Sequence, residues 1–241
     1  MVPARLASTI KAAMLVIVAL AMATVAHAYE VSPMRIFLQP SRGQSSATIA
    51  VNNIRTDSLP IEVKVLRRLV NPDGSQTFQP ADDKFVIFPP QAQIAAGQSQ
   101  ALRVQYTGDA VTESEAYVIQ VTEVPVNRLE QSGIQFTYNF GVAVYVQANR
   151  PRARLAIENT RIVEGKLRFK VANSGNDFGF INGQQLEYQI GDETFRLDRD
   201  ALTNLVENPI ISPNSEREFS LSLDNLIDGT PVKVRLSRAD G

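Results

Sequence analysis

From Ile134 to Val146, large apolar residues occupy every second position of the chain. The row runs Ile134, Phe136, Tyr138, Phe140, Val142, Val144, Val146, with Gln135, Thr137, Asn139, Gly141, Ala143 and Tyr145 between them. A period of two places the row on one face of an extended strand. At about 3.3 Å per residue such a strand spans roughly 43 Å, more than twice the usual length. An ordinary domain cannot cover so long an apolar face alone. Either the strand bends between two sheets, or part of it serves another protein.

The first residues lie outside any fold. Arg5 and Lys11 precede an apolar run from Ala12 to Val25, and Ala26-His27-Ala28 has the small-x-small form of a signal peptidase site. The run is too short to span a bilayer, so the sequence predicts a secretory signal cleaved after Ala28 and no membrane span in the mature chain. Losing Arg5 and Lys11 moves the formal net charge from −1 to −3. That balance gives no basic footprint for nucleic acid. The only histidine is His27, and there is no Cys or Trp. Histidine relays, cysteine nucleophiles, Cys/His zinc sites and disulfides are thereby excluded from the mature chain. An exported chain without disulfides depends on a sizeable hydrophobic core.

From Val31 onward the pattern is strand, turn, strand. Runs at Val31–Leu38, Ser46–Ile54, Pro60–Leu69, Lys84–Phe88, Gln100–Tyr106 and Glu115–Val124 are β-branched or alternating, with Gly, Pro, Asn and Asp between them. With the long strand they make seven, the count of an immunoglobulin-like sandwich. Asn149-Arg150-Pro151 reads as a hinge, because the residue before a proline avoids helical geometry. A second set follows at Ala153–Glu158, Lys166–Asn173, Gln184–Ile190, Glu193–Leu197, Glu216–Leu223 and Pro231–Ser237. Asp200–Glu207 reads as a short helix with Asp198 as its cap. The expected fold is all-β: two β-sandwich domains, residues 29–150 and 151–241, behind a signal over 1–28.

Several side chains admit two readings. The polar, Pro- and Gly-broken segment Val124–Gly133 is either a plain hairpin connection or the lead-in to an unpaired strand edge. Arg35, inside the apolar Met34-Arg35-Ile36-Phe37-Leu38, is either a snorkelling surface cation or an anchor for a carboxylate, which a guanidinium fork grips with two bonds. Arg103 is expected to pair across the sheets with Glu115, since a partly buried arginine needs a carboxylate. Arg150, Arg152 and Arg154 read as a solvated run at the hinge. Asp192, Glu193, Asp198 and Asp200 lack the glycine and distal glutamate of a calcium loop. No catalytic residue, metal ligand or cofactor site stands out.

Taken together, these pieces resemble the periplasmic pilus-assembly chaperones of the chaperone–usher pathway. The resemblance rests on Ser32-Pro33-Met34-Arg35-Ile36, Phe88-Pro89-Pro90, Gly97, Leu102-Arg103-Val104, Glu123-Val124-Pro125 and the long strand closed by Arg150-Pro151. It implies two immunoglobulin-like domains in an L or boomerang arrangement and a non-enzymatic role. It implies further that the long strand is lent to a pilin or fimbrial subunit whose own sandwich lacks a strand. Ile134, Phe136, Tyr138 and Phe140 would be the donors, and Val142, Val144 and Val146 would hold the strand in its own core. Four such side chains bury about 6–12 kcal/mol before ordering costs. Arg35 would anchor the subunit's carboxylate, and Asp228, in Ile227-Asp228-Gly229, would join an interdomain salt-bridge network with Arg103 and Glu115. Partners would be the subunits and an outer-membrane usher. Whether free chaperones cap one another as dimers stays open.

One position departs from the family pattern. Ala143 stands where the best-known branch has a lysine beside the anchoring arginine, and there is no Lys or Arg from Ile134 to Ala148. With the missing cysteines, this points to the archaic branch. The alternative expectation is a secreted β-sandwich adhesin or pilus subunit, which would need a strand rather than lend one.

Overall fold

A computed structural model describes residues 29–124 and 137–238. The predicted signal and most of the lead-in segment, with Ile134 and Phe136, lie outside the described residues. The strands are β1 (Glu30–Ser32), β2 (Arg35–Leu38), β3 (Ser46–Asn52), β4 (Leu59–Val70), β5 (Gln76–Pro80), β6 (Phe85–Phe88), β7 (Gln91–Ile94), β8 (Ser99–Tyr106), β9 (Glu115–Glu123) and β10 (Asn139–Val146). They form two facing sheets, ordered β1-β3-β8-β6 and β2-β10-β9-β4-β5, with β7 also on β4.

The run expected as one strand over Val31–Leu38 is split. Its first part, β1, pairs antiparallel with β3 in the first sheet, and its second, β2, pairs parallel with β10 in the second. Pro33 lies between them, and a proline without an N–H cannot continue a ladder. One segment thus supplies an edge strand to each sheet. β5 and β7 were not expected from the pattern. β5 is exposed at every position, so no inward face marks it, and β7 is a short edge beside Pro89-Pro90.

Alternation does the packing. Leu102 and Val104 from β8 meet Tyr117, Ile119 and Val121 from β9 and Val142, Val144 and Val146 from β10 in one core, most of them with no accessible surface. Such side chains contribute roughly 1.5–3 kcal/mol each when buried. Asn53, 1% exposed, knots two loops over this core: its Nδ2 donates to the carbonyls of Asp57 (2.8 Å) and Ile94 (3.0 Å), and its Oδ1 accepts from Arg55 N (3.1 Å).

The second half holds β11 (Leu155–Val163), β12 (Lys166–Asn173), β13 (Gly179–Phe180), β14 (Gln184–Ile190), β15 (Glu193–Leu197), helix α1 (Arg199–Leu205), β16 (Ile210–Ile211), β17 (Ser215–Ser222) and β18 (Val232–Arg238). They assemble as β11-β12-β17, β15-β14-β18 and the small pair β13-β16 around Leu167, Phe169, Leu186 and Leu221. Asp198 caps α1 as expected, its Oδ1 accepting from Ala201 N at 2.9 Å. Asn173 mirrors Asn53: also 1% exposed, it donates to Asp177 O (2.8 Å) and Ser212 O (3.0 Å) and accepts from Arg154 N (3.0 Å).

The sandwiches meet through Ala116 and Tyr145 on one side and Phe178 and Ile210 on the other, all buried. Around that apolar contact run polar ties. Ser114 N donates to Asn176 O (2.9 Å), Glu218 N to Pro72 O (3.1 Å), and Asn208 Nδ2 to Gly74 O (3.0 Å).

Candidate functional site

The two flanks of β10 differ along its length. Against β9 it pairs from Asn139↔Thr122 to Val146↔Glu115. Against β2 it pairs only from Ala143↔Arg35 to Val146↔Leu38, with Ala143 N donating to Met34 O at 3.0 Å. Among the described residues, Asn139 to Val142 therefore have a strand on one side alone. Because Ala143 directs its N–H toward β2, the period of two directs the N–H and C=O of Gly141 and Asn139 to that same, unpaired flank. An open ladder of this kind is a template for one more strand.

Side chains follow the same division. Val142, Val144 and Val146 are fully buried in the chain's own core, as alternation predicted. Phe140 and Tyr138 are half-buried and pack on the rim of that core. The Phe140 ring lies edge-on to Tyr29 at 4.7 Å, and the Tyr29 hydroxyl donates to Val121 O (2.7 Å) and Tyr138 O (3.2 Å). Burial first, and the Glu123 carboxylate second, push the Tyr29 phenol well above its ordinary pKa, so it remains a donor there. Tyr29 thus fastens Tyr138 and Phe140 to the edge of the first sandwich.

Tyr145 interrupts the alternation, the one aromatic residue among the intervening positions besides the apolar row. Where Val144 and Val146 point into the core, Tyr145 points out and is 3% exposed against the second sandwich. It stacks on Phe37 (5.3 Å) and meets Phe178 (5.3 Å) and Phe180 (6.0 Å) edge-on. Its bulk at an off-face position was the available signal that this strand is buried on both sides near its end.

Arg35, at the start of β2, is exposed beside Ala143, and its guanidinium lies over the Phe180 ring at 5.6 Å. A cation–π contact of this kind orients the fork and leaves its N–H groups available. Ala143 offers no second cation.

The expected network of Arg103, Glu115 and Asp228 is not assembled. Arg103 sits between buried Leu102 and Val104, so it points outward from the first sheet. Glu115 shares the parity of core-facing Tyr117 and Ile119, on the far side of that sheet. Its carboxylate instead accepts from Arg67 (2.8 Å) and from the Tyr117 hydroxyl (2.5 Å). Asp228 is occupied within the second sandwich, where its oxygens accept from Glu164 N (2.9 Å) and Gly165 N (2.7 Å) and close the β11–β12 hairpin. Consecutive Arg67 and Arg68 explain what the sequence concealed: on a strand they face opposite ways, one to Glu115 and the other to the domain junction. Among the described residues, no group of three His, Cys, Asp or Glu side chains is placed to hold a metal, and no helix is long and apolar enough to cross a membrane.

Comparison with known proteins bears on this arrangement. Residues 29–153 match the family model for pili and flagellar-assembly chaperones, PapD N-terminal domain. No curated protein matches the chain. Among solved structures, the class 5 fimbriae chaperone CfaA superposes with a TM-score of 0.59 at 13% identity, covering 87% of this chain and 99% of its own. The Escherichia coli chaperone DraB gives 0.53 at 19% identity, covering 80% and 85%. A structure of the Salmonella enterica SafA pilin with the SafB chaperone gives 0.54 at 16%, covering 83% and 86%. These likenesses establish the two-sandwich fold across both halves. The match over residues 29–153 establishes the family: this chain belongs to the pili and flagellar-assembly chaperones, which are not enzymes.

Proposed function

We propose that this protein is a periplasmic chaperone that binds, folds and caps pilin subunits by donor-strand complementation and passes them to an outer-membrane usher. The observation that carries the reading is the open flank of β10 from Asn139 to Val142, where the outward backbone groups of Gly141 and Asn139 have no partner strand among the described residues. A subunit lacking a strand takes the segment from Ile134 to Phe140 as its own. Backbone bonds form along that flank, and Ile134, Phe136, Tyr138 and Phe140 fill its groove. Val142, Val144 and Val146 keep the strand in register, since a one-residue slip would turn them outward. Release at the usher follows by strand exchange.

Arg35 grips the subunit's carboxylate, oriented by Phe180. Ala143, where the best-known branch carries a lysine, supports assignment to the archaic branch. A signal cleaved after Ala28 would leave Tyr29 as the first residue, already docked by its hydroxyl. The same open flank would let two free chaperones cap one another, which concentration-dependent gel filtration reads out.

The test is co-expression with the cognate pilin. Phe136→Asp and Tyr138→Asp should abolish recovery of soluble subunit while circular dichroism of the purified variants stays native. Undiminished recovery would sink strand donation. Gly141→Pro, which removes an outward N–H without touching the β9 ladder, should weaken capture without a change in side chains lent to the groove.

A further inference from the structure

At the end of the domain junction away from Arg35 lies a cleft of about 900 Å³ between the β4–β5 turn and β17. Its size suits a small molecule. Arg217 lies on its wall and is only 7% exposed. Nη1 donates to Ile210 O at 2.6 Å, the guanidinium lies 4.6 Å over the Phe219 ring, and Nε is buried with no partner. Arg68 lines the same cleft, with a long contact of 3.5 Å to Asn208 Oδ1 and a buried Nε that is likewise unpartnered. Among the described residues neither arginine forms an ion pair. A guanidinium buried as Arg217 is, beside a half-buried second one and with no carboxylate paired to either, is costly unless an anion joins them.

Two of the acids nearby are engaged elsewhere. Asp73 accepts from Ser75 N (2.9 Å) and Ser75 Oγ (2.7 Å), and Glu218 pairs with Arg161 at 2.5 Å. Burial lowers the Arg217 pKa, Asp73 opposes that shift and Arg68 adds to it, which is the signature of a charge short of a counter-ion. Asp73, Glu207 and Glu218 at the rim also disfavour a multiply charged anion. Two apolar side chains line the cleft in the open: Phe78, 45% exposed, stands opposite Arg68 on β5, and Leu205, 36% exposed, ends α1.

We propose that this cleft binds a monocarboxylate carried on an apolar chain, a free fatty acid, with Arg217 and Arg68 holding the head and Phe78 and Leu205 the tail. The site lies away from β10 and does not depend on strand donation.

Isothermal titration of the full chain with laurate, kept below its critical micelle concentration, tests this. Laurate should bind at one site. Acetate, which has the head alone, and dodecyl maltoside, which has the tail alone, should not. Arg68→Gln should weaken binding about tenfold, the loss of one charge-assisted pair. Phe78→Ser should weaken it about threefold or more. Phe88→Ser, which removes an apolar side chain 72% exposed on the first sheet, should leave it unchanged. Absence of laurate binding, equal binding of dodecyl maltoside, undiminished binding by Arg68→Gln, or a matching loss in Phe88→Ser overturns the proposal.

Discussion

Replacing Tyr145 by alanine should uncouple the two sandwiches. The ring is 3% exposed and touches Phe37, Phe178 and Phe180 within 6.0 Å, so its removal leaves a ring-sized void between domains. Truncating a buried aromatic costs about 3–5 kcal/mol, and lost aromatic pairings make up part of that sum. The loss falls on the junction, where Asn176 accepts from Ser114 N of the first sandwich (2.9 Å) and also holds the linker. Arg152 N donates to Asn176 Oδ1 (2.9 Å), Arg154 N to Asn173 Oδ1 (3.0 Å), and Ser174 N to Arg154 O (3.0 Å). Trypsin can cut after exposed Arg152 or Arg154, though not before Pro151, only when these ties open. Where opening is fast, cleavage tracks the open population, so 3–5 kcal/mol corresponds to roughly a hundred- to a few-thousandfold faster nicking. Urea unfolding followed by circular dichroism should split into two transitions. Phe37→Ala is the control: Phe37 is 51% exposed and covers Tyr145 from the solvent side, so it should cost under about 1 kcal/mol. Unfolding of Tyr145→Ala within about 1 kcal/mol of the parent with unchanged nicking, or equal harm from Phe37→Ala, would refute this coupling role for Tyr145.

Other expectations follow from single contacts. Asn173→Leu orphans the backbone groups it ties together in the second sandwich and should cost at least about 2 kcal/mol, read as a lowered urea midpoint. Asp228→Ala removes acceptors from Glu164 N and Gly165 N and should cost about 1–2 kcal/mol, seen in the melting of the second sandwich. Burial raises the phenol pKa values of Tyr29 and Tyr117, so the folded state keeps protons that the unfolded state releases above its pKa of about 10. That stability is fully present below pH 10 and is lost as pH rises from there, by up to about 1.4 kcal/mol per pH unit for each group. Tyr29→Phe should flatten this alkaline slope in denaturant titrations between pH 9 and 11, and an unchanged slope would contradict it.

Much of this protein is written in periodicity. The alternation of Val142, Val144 and Val146 against Ala143 and Tyr145 suffices to say that β10 has a core face, because side-chain direction on a strand depends only on parity. Turn residues likewise bound β12, β14 and β15 at the residues where they are found. Parity also limits what sequence can reveal, since it says which face a residue occupies but not what lies opposite. Arg103 and Glu115 looked like partners along the chain, yet one points outward from the first sheet and the other inward from the second. Glu115 meets Arg67, Asp228 closes a hairpin of its own domain, and Arg68 and Arg217 converge from residues far apart in sequence.

The sequence by itself determined the all-β class, the doubling into two sandwiches, the apolar row of β10 and the exclusion of thiol and imidazole chemistry. Those are local or compositional properties, and no tertiary contact is needed to state them. Only the tertiary structure decided where β2 stops covering β10, which leaves Asn139 to Val142 with an open flank. It also decided that Tyr145 serves the domain junction and that two arginines share a cleft. Each of these depends on which strands lie side by side, a matter of long-range packing that no single segment encodes.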